Sequence, residues 1–232
     1  MIMRFFTRIT LLSLSFLVSC GAQEAETSKT ANKATPETTK KSGKPLFDGE
    51  SLKGWKKIEF GGTGDIEVED GEIILYMGEL LTGLKWDGEV PYKSNYEISL
   101  DAQRIDGVDF FCALTFPIAG SHSTFVVGGW GGALVGISSI DDMDASENST
   151  GSVQKLEDKQ WYNLRVRVTD TRLDAWIDKK QVVKLLHTGR RMGMRFGEIE
   201  ECVPIGIATF QTKAAIKNIR IKSVEPDAPG NE

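Results

Sequence analysis

An all-β sandwich of two antiparallel sheets is the fold class the sequence predicts, on three observations. Apolar and polar residues alternate with a period of two along most of the chain after residue 46, where helix-period patterning is scarce. An Asp70-Gly71 pair separates two strand-like runs in EVEDGEIILY, residues 67–76, and a type I′ hairpin turn needs positive φ at both central positions. Runs of strand character, roughly ten to twelve of them, follow one another at short intervals with no internal repeat.

Ahead of that domain the chain carries an address. Arg4 and Arg8 precede the apolar run from Ile9 to Val18, and Ser19 and Cys20 follow, as in a secretory signal. That run is too short to span a hydrocarbon core, which needs about 20 residues. Leu17-Val18-Ser19-Cys20-Gly21 resembles a bacterial lipobox, in which cleavage precedes the cysteine and lipid is attached to its sulfur. The expectation is a signal peptide over residues 1–20, lipidation at Cys20, and a secreted protein anchored to a bacterial membrane at the outer membrane or periplasmic face. The alternative is cleavage a few residues later, with Cys20 discarded.

Residues 21–45 hold no large apolar or aromatic side chain and cannot bury enough surface to offset chain entropy, so they read as a disordered tether. Residues 46–224, about 180, suffice for one domain with its own core, and residues 225–232 form a polar tail. Within the domain, Tyr96, Ile98, Leu100 and Ala102 are expected to point inward and Glu97, Ser99, Asp101 and Gln103 outward. Residues 108–116, VDFFCALTF, are apolar on both faces and are expected to form a more central strand. Further strands are expected over 162–169, 172–178, 181–186, 204–210 and 214–224.

The net charge of −5 becomes more negative once the two leader arginines and the lysine-rich tether are set aside. An acidic body without a basic stripe is a poor partner for nucleic acid. If Cys20 is lipidated, Cys112 and Cys202 remain, either paired in an oxidising compartment or as buried thiols.

The opening LFDGESLKGW (46–55) resembles that of the 3-keto-disaccharide hydrolase domain family. The likeness continues through IEVEDGEIIL (66–75), the segment from Trp161 to Val183, and IGIATFQTKAAIKNIRIKSV (205–224). It implies a concanavalin A-like jelly roll whose concave face meets carbohydrate, in agreement with the strand count. Many members carry an Asn-Ser-Gly run in mid-domain. Here Ala113-Leu114-Thr115 stands in that region, which marks a divergent member, and the family's catalytic residues are not carried over.

The activity that the resemblance implies acts on a sugar oxidised at C3. A base removes the acidified C2 proton, the glycosidic oxygen leaves C1, and water adds to the unsaturated product. This calls for a general base and a stabiliser of the enolate oxygen. The catalytic candidates are His122 as base, Asp141, Arg195 as carbonyl polariser, and Glu200 or its neighbour Glu198 as an alternative base. The substrate-binding candidates are Trp130 in the run Gly128–Gly132, Asp142 and Asn148 in the acidic loop, and the outward-pointing Trp176 as a stacking platform. Each has a plain structural alternative: a glycine-rich bend, an exposed loop, a salt-bridged strand, or a covered ring.

The acidic loop 138–150 could hold Ca²⁺ but lacks the EF-hand pattern, so no metal or other cofactor is assigned. The leading expectation is a carbohydrate-active hydrolase or lyase acting on 3-keto glycosides. The alternative is a noncatalytic carbohydrate-binding or cell-surface interaction module. The expected partners are a sugar derivative and, through lipid, a membrane. His122 and Asp141 are expected to share one groove flanked by Gly128–Gly132 and the acidic loop.

Overall fold

The computed structural model describes residues 43–227. The signal peptide, Cys20 and nearly all of the tether lie outside the described residues. Fifteen strands are described: β1 (Lys44–Pro45), β2 (Trp55–Lys57), β3 (Ile66–Glu69), β4 (Glu72–Leu75), β5 (Leu81–Trp86), β6 (Tyr96–Gly107), β7 (Cys112–Ile118), β8 (Ser121–Gly128), β9 (Leu134–Ser138), β10 (Ser152–Val153), β11 (Trp161–Val168), β12 (Arg172–Ile177), β13 (Lys180–Leu186), β14 (Gly206–Phe210) and β15 (Thr212–Ser223). They form two antiparallel sheets of a jelly-roll sandwich. The first runs β13-β12-β11-β6-β15-β4-β3, with β1 beside β15, and the second runs β10-β9-β8-β7-β14-β5-β2.

The alternation in β6 sets the inner face of the first sheet: Tyr96, Ile98, Leu100 and Ala102 are fully buried, as the sequence predicts. Glu97 on the other face is also largely covered, because Arg165 and Lys222 close over it in ion pairs. The β3–β4 hairpin turns on Asp70 and Gly71, both at positive φ. Phe116, Phe125, Leu114 and Ile207 of the second sheet meet the first sheet's inner face in one apolar core.

The central strand β7 begins four residues later than its apolar run suggests. Val108 is exposed, and the Asp109 carboxylate accepts hydrogen bonds from the amides of Phe110 and Gly131, which turns the chain before pairing begins. From Cys112 onward β7 is flanked by β8 and β14 and buried on both faces. Its inner residues enter the core, while Ala113 belongs to a second apolar cluster on the outer face, with Leu81, Ala208 and Cys202. Cys112 and Cys202 are both free thiols, and burial pushes the Cys202 pKa up to about 12.

Strand pairing begins at Lys44, and Arg220 donates to the carbonyl of Gly43 (2.9 Å). At the other end Asp227 accepts hydrogen bonds from Thr169 and Thr171. A fragment spanning residues 43–227 is therefore expected to unfold cooperatively at the temperature of the full chain in a circular-dichroism melt. A broad or missing transition would mean that the core depends on residues outside it. Among the described residues no helix is long and apolar enough to cross a membrane.

Candidate functional site

The outer face of the second sheet holds a pocket of about 320 Å³. Its floor is made by alternation. Thr124 and Val126 point outward from β8, Ala113 from β7, and Ser138 from β9, because their sequence neighbours Phe125, Val127, Leu114 and Ile137 are committed to the core. Leu81, Phe110, Phe210 and Ile199 complete a largely apolar lining. Thr124 shares a hydrogen bond with Thr115 (3.0 Å), its neighbour on β7.

One wall is the turn Gly129–Gly132. Trp130 stands there with φ 49° and ψ 54°, a left-handed conformation that a bulky L residue seldom adopts. The glycines around it are required by close approach as well as by φ. A Cβ on Gly132 would lie 3.0 Å from the Arg104 guanidinium, and one on Gly128 would lie 3.1 Å from the Phe111 ring. Asp109 Oδ2 accepts from the Gly131 amide (3.0 Å), and Arg104 donates to the Gly132 carbonyl (3.2 Å) while paired with Asp158 (2.6 Å). The glycine-rich run is thus a bend and a pocket wall at once.

The opposite rim comes from residues 195–199. The acidic loop holds this rim and the segment ahead of it through three successive ion pairs: Asp141 with Arg190 (2.6 Å), Asp142 with Arg191, and Asp144 with Arg195 (2.8 Å). Asp144 also accepts from the Ser138 hydroxyl (2.8 Å), so the β9 end and Arg195 are tied through one carboxylate. The Arg195 guanidinium lies 6.0 Å from the Trp130 ring centroid. Glu198 stands at the mouth with Oε1 accepting from the Gly61 amide (3.2 Å). The pocket thus sets one cation and two carboxylates, Asp109 and Glu198, against aromatic walls.

Of the candidates drawn from the sequence, Trp130, Arg195 and Glu198 line this pocket. The others stand elsewhere. His122 projects from the same face of β8 as Thr124 but two residues away, half-buried, and desolvation pushes its imidazole pKa below the ordinary value. Asp141 is turned to Arg190 and Arg191, and the Arg191 amide and Arg190 side chain hold its carboxyl below the usual carboxylate range. His122 and Asp141 do not share the pocket.

Asp142 is engaged by Arg191. Asn148 is buried and saturated: its amide donates to the carbonyls of Ile137, Met143 and Asp144, and its oxygen accepts from the Thr150 amide and hydroxyl. Glu200 closes the first turn of the 3-10 helix Glu198–Cys202 by accepting from the Gly197 amide (3.1 Å). Trp176 faces outward from the first sheet, as its alternation predicts, but the Arg165 guanidinium covers its ring at 4.2 Å. The acidic loop's carboxylates are thus directed to arginines, a serine and two backbone amides. Among the described residues no cluster of three or more His, Cys, Asp or Glu side chains is arranged to hold a metal ion.

Asp109, Phe196, Thr124 and Ser138 were not singled out as site residues from sequence. The signals present were an Asp directly before an apolar run and a Phe followed by Gly197, and both are common in ordinary loops.

The sequence profile of the 3-keto-alpha-glucoside-1,2-lyase-like domain matches residues 42–222. Among curated proteins none matches the sequence. Several solved structures share the fold. A candidate glycosyl hydrolase from Parabacteroides distasonis ATCC 8503 aligns with a TM-score of 0.50 at 14% identity, over 78% of this chain and 93% of its own. The Crh5 transglycosylase in complex with NAG gives 0.52 at 13%, over 77% and 82%. The metal-free carbohydrate recognition domain of Emp46p gives 0.51 at 12%, over 76% and 91%. Such identities establish a common sandwich and no more. The profile match does more, since it runs from before β1 into the end of β15 and so takes in every strand of both sheets and every pocket residue; the chain belongs to the 3-keto-alpha-glucoside-1,2-lyase-like domain family.

Proposed function

We propose that the pocket binds the oxidised ring of a 3-keto glycoside and cleaves it by elimination. The observation that carries this reading is the meeting of Arg195 and Glu198 at the mouth of one apolar, aromatic-walled pocket. Membership of the family supports it. Glu198 removes the C2 proton, whose acidity comes from the C3 ketone. The electron pair delocalises onto the C3 oxygen, where Arg195 stabilises the enolate. The enolate then expels the C1 oxygen, which takes a proton from water as Glu198 returns its own to solvent, and the ring keeps a C1–C2 double bond conjugated to the ketone. Water addition to that product completes a net hydrolysis.

Glu198 is preferred over Asp109 as base because each oxygen of Asp109 already accepts a backbone amide. The ketone supplies the activation, so the scheme invokes no metal or cofactor. The test is direct: purified protein is mixed with a 3-keto glycoside, and enone absorbance and aglycone release are followed. The mostly apolar lining also suits a binding module that recognises the sugar without cleaving it. Saturable binding with no turnover would favour that second reading and overturn the first.

We further propose that the domain acts outside the cytoplasm, held to a membrane by lipid on Cys20. Cys20→Ser is expected to shift the protein from the membrane to the soluble fraction or leave it unprocessed, read by fractionation and N-terminal analysis. A wild-type protein that is fully soluble, with its N-terminus beyond Cys20, would sink the proposal.

A further inference from the structure

Among the described residues, the exposed large apolar side chains include two aromatic rings, Trp130 and Phe196, and both stand on the rim of this one pocket. Phe196 is 93% exposed and Trp130 44%. Leaving such surface in water opposes the burial that drives folding, so the paired exposure calls for a partner.

Neither ring is there through slack in the chain. Trp130 is kept in its left-handed conformation by the bonds from Gly131 to Asp109 and from Arg104 to Gly132. Phe196 directly follows Arg195, which is fixed on Asp144, and the segment before it is fastened to the acidic loop by Arg190 and Arg191. Arg195 also approaches the Trp130 ring, with its guanidinium 6.0 Å from the centroid.

The pocket itself, about 320 Å³, lies at the small end of ligand sites, with room for a single sugar ring. Whatever is attached at C1 must then lie across the rim. In the reading above Arg195 and Glu198 serve the C3 oxygen and the C2 proton of the sugar ring, which leaves the two exposed aromatic faces of the rim for the group at C1.

We propose that this rim is an aglycone site: Trp130 and Phe196 take a flat aromatic leaving group, and the pocket prefers aryl glycosides to alkyl glycosides. The proposal rests on the pocket being the sugar site. Aromatic rings stack offset or edge-on, and a guanidinium beside them adds cation–π attraction to an electron-rich aryl group.

The test is calorimetric. Phenyl and methyl glucosides, and their 3-keto forms, are titrated into the wild-type protein and into Phe196→Ala and Phe196→Tyr variants. The wild type is expected to bind the phenyl compound about tenfold more tightly than the methyl compound. Phe196→Ala should bring that ratio to within about twofold of one, and Phe196→Tyr should keep it. A ratio near one in the wild type, a ratio that survives Phe196→Ala, or no binding of any of the four compounds overturns the aglycone site. The elimination reading is judged separately by turnover: an intact phenyl preference with no cleavage of either 3-keto compound would remove the lyase and leave the aglycone site standing.

Discussion

Glu198→Gln is expected to lower kcat for a 3-keto glycoside by roughly 10²- to 10⁴-fold, the range for loss of a general base, with KM changing much less. The amide keeps the size of the carboxylate and cannot take the C2 proton. Arg195→Met should cost roughly 10²- to 10³-fold, because the developing charge on the C3 oxygen loses its cation. Both side chains are largely exposed at the pocket mouth, so the melting temperature should hardly move. Asp144→Asn is expected to fall between wild type and Arg195→Met, since it leaves the guanidinium in place but releases it from its 2.8 Å partner. Steady-state kinetics beside a thermal melt separate these outcomes. A Glu198→Gln variant with wild-type kcat would remove Glu198 from the mechanism, and Asp109 would be the next carboxylate to test.

Replacing Asn148 by Ala should give the largest loss of stability among the polar substitutions considered. Its amide reaches the Ile137 carbonyl of β9 and two carbonyls of the turn that follows, and its oxygen takes two donors from Thr150. Alanine supplies none of these, and the carbonyl of Ile137 and the amide of Thr150 are left without their partner in a buried place. Each such group costs about 1–3 kcal/mol, and relaxation of the turn recovers part of it, so a net loss of roughly 2–4 kcal/mol is expected. For a domain of this size that corresponds to a fall in Tm of about 5–15 °C, readable by calorimetry. A melt within a degree of wild type would show that the turn holds together without Asn148.

Asn148 illustrates how residue type misleads when its partners are distant or its burial is unknown. In sequence it belongs to a cluster of oxygen-bearing residues suited to a sugar or a cation. In the structure it is a bracket for its own loop. Asp141 and Asp142 behave alike: their arginine partners lie some fifty residues away, a separation over which the sequence shows charges but no pairing. Trp176 differs in kind. Alternation placed it on the outer face of the first sheet, and only the arrival of Arg165 from the neighbouring strand determined that its ring would be covered.

The sequence by itself determined the class of fold and the strands with the clearest alternation; β5, β8 and β9 are not among those it marks. Burial of one face imposes a period of two that can be read residue by residue in β6, and the Asp70-Gly71 turn depends only on its own backbone. It also determined the family, because three of the four quoted motifs lie along strands whose alternate side chains are committed to the core. Tertiary structure alone decided the site. The pocket draws Asp109 from before β7, Trp130 from between β8 and β9, and Arg195, Phe196 and Glu198 from the segment between β13 and β14. These meet because β7 lies between β8 and β14 in the sheet, an order that chain sequence does not follow. Alternation is a local consequence of burial and is written into neighbouring residues. A pocket assembled from loops at the ends of strands depends on which strands become neighbours, and the energy that decides this is summed over the whole core.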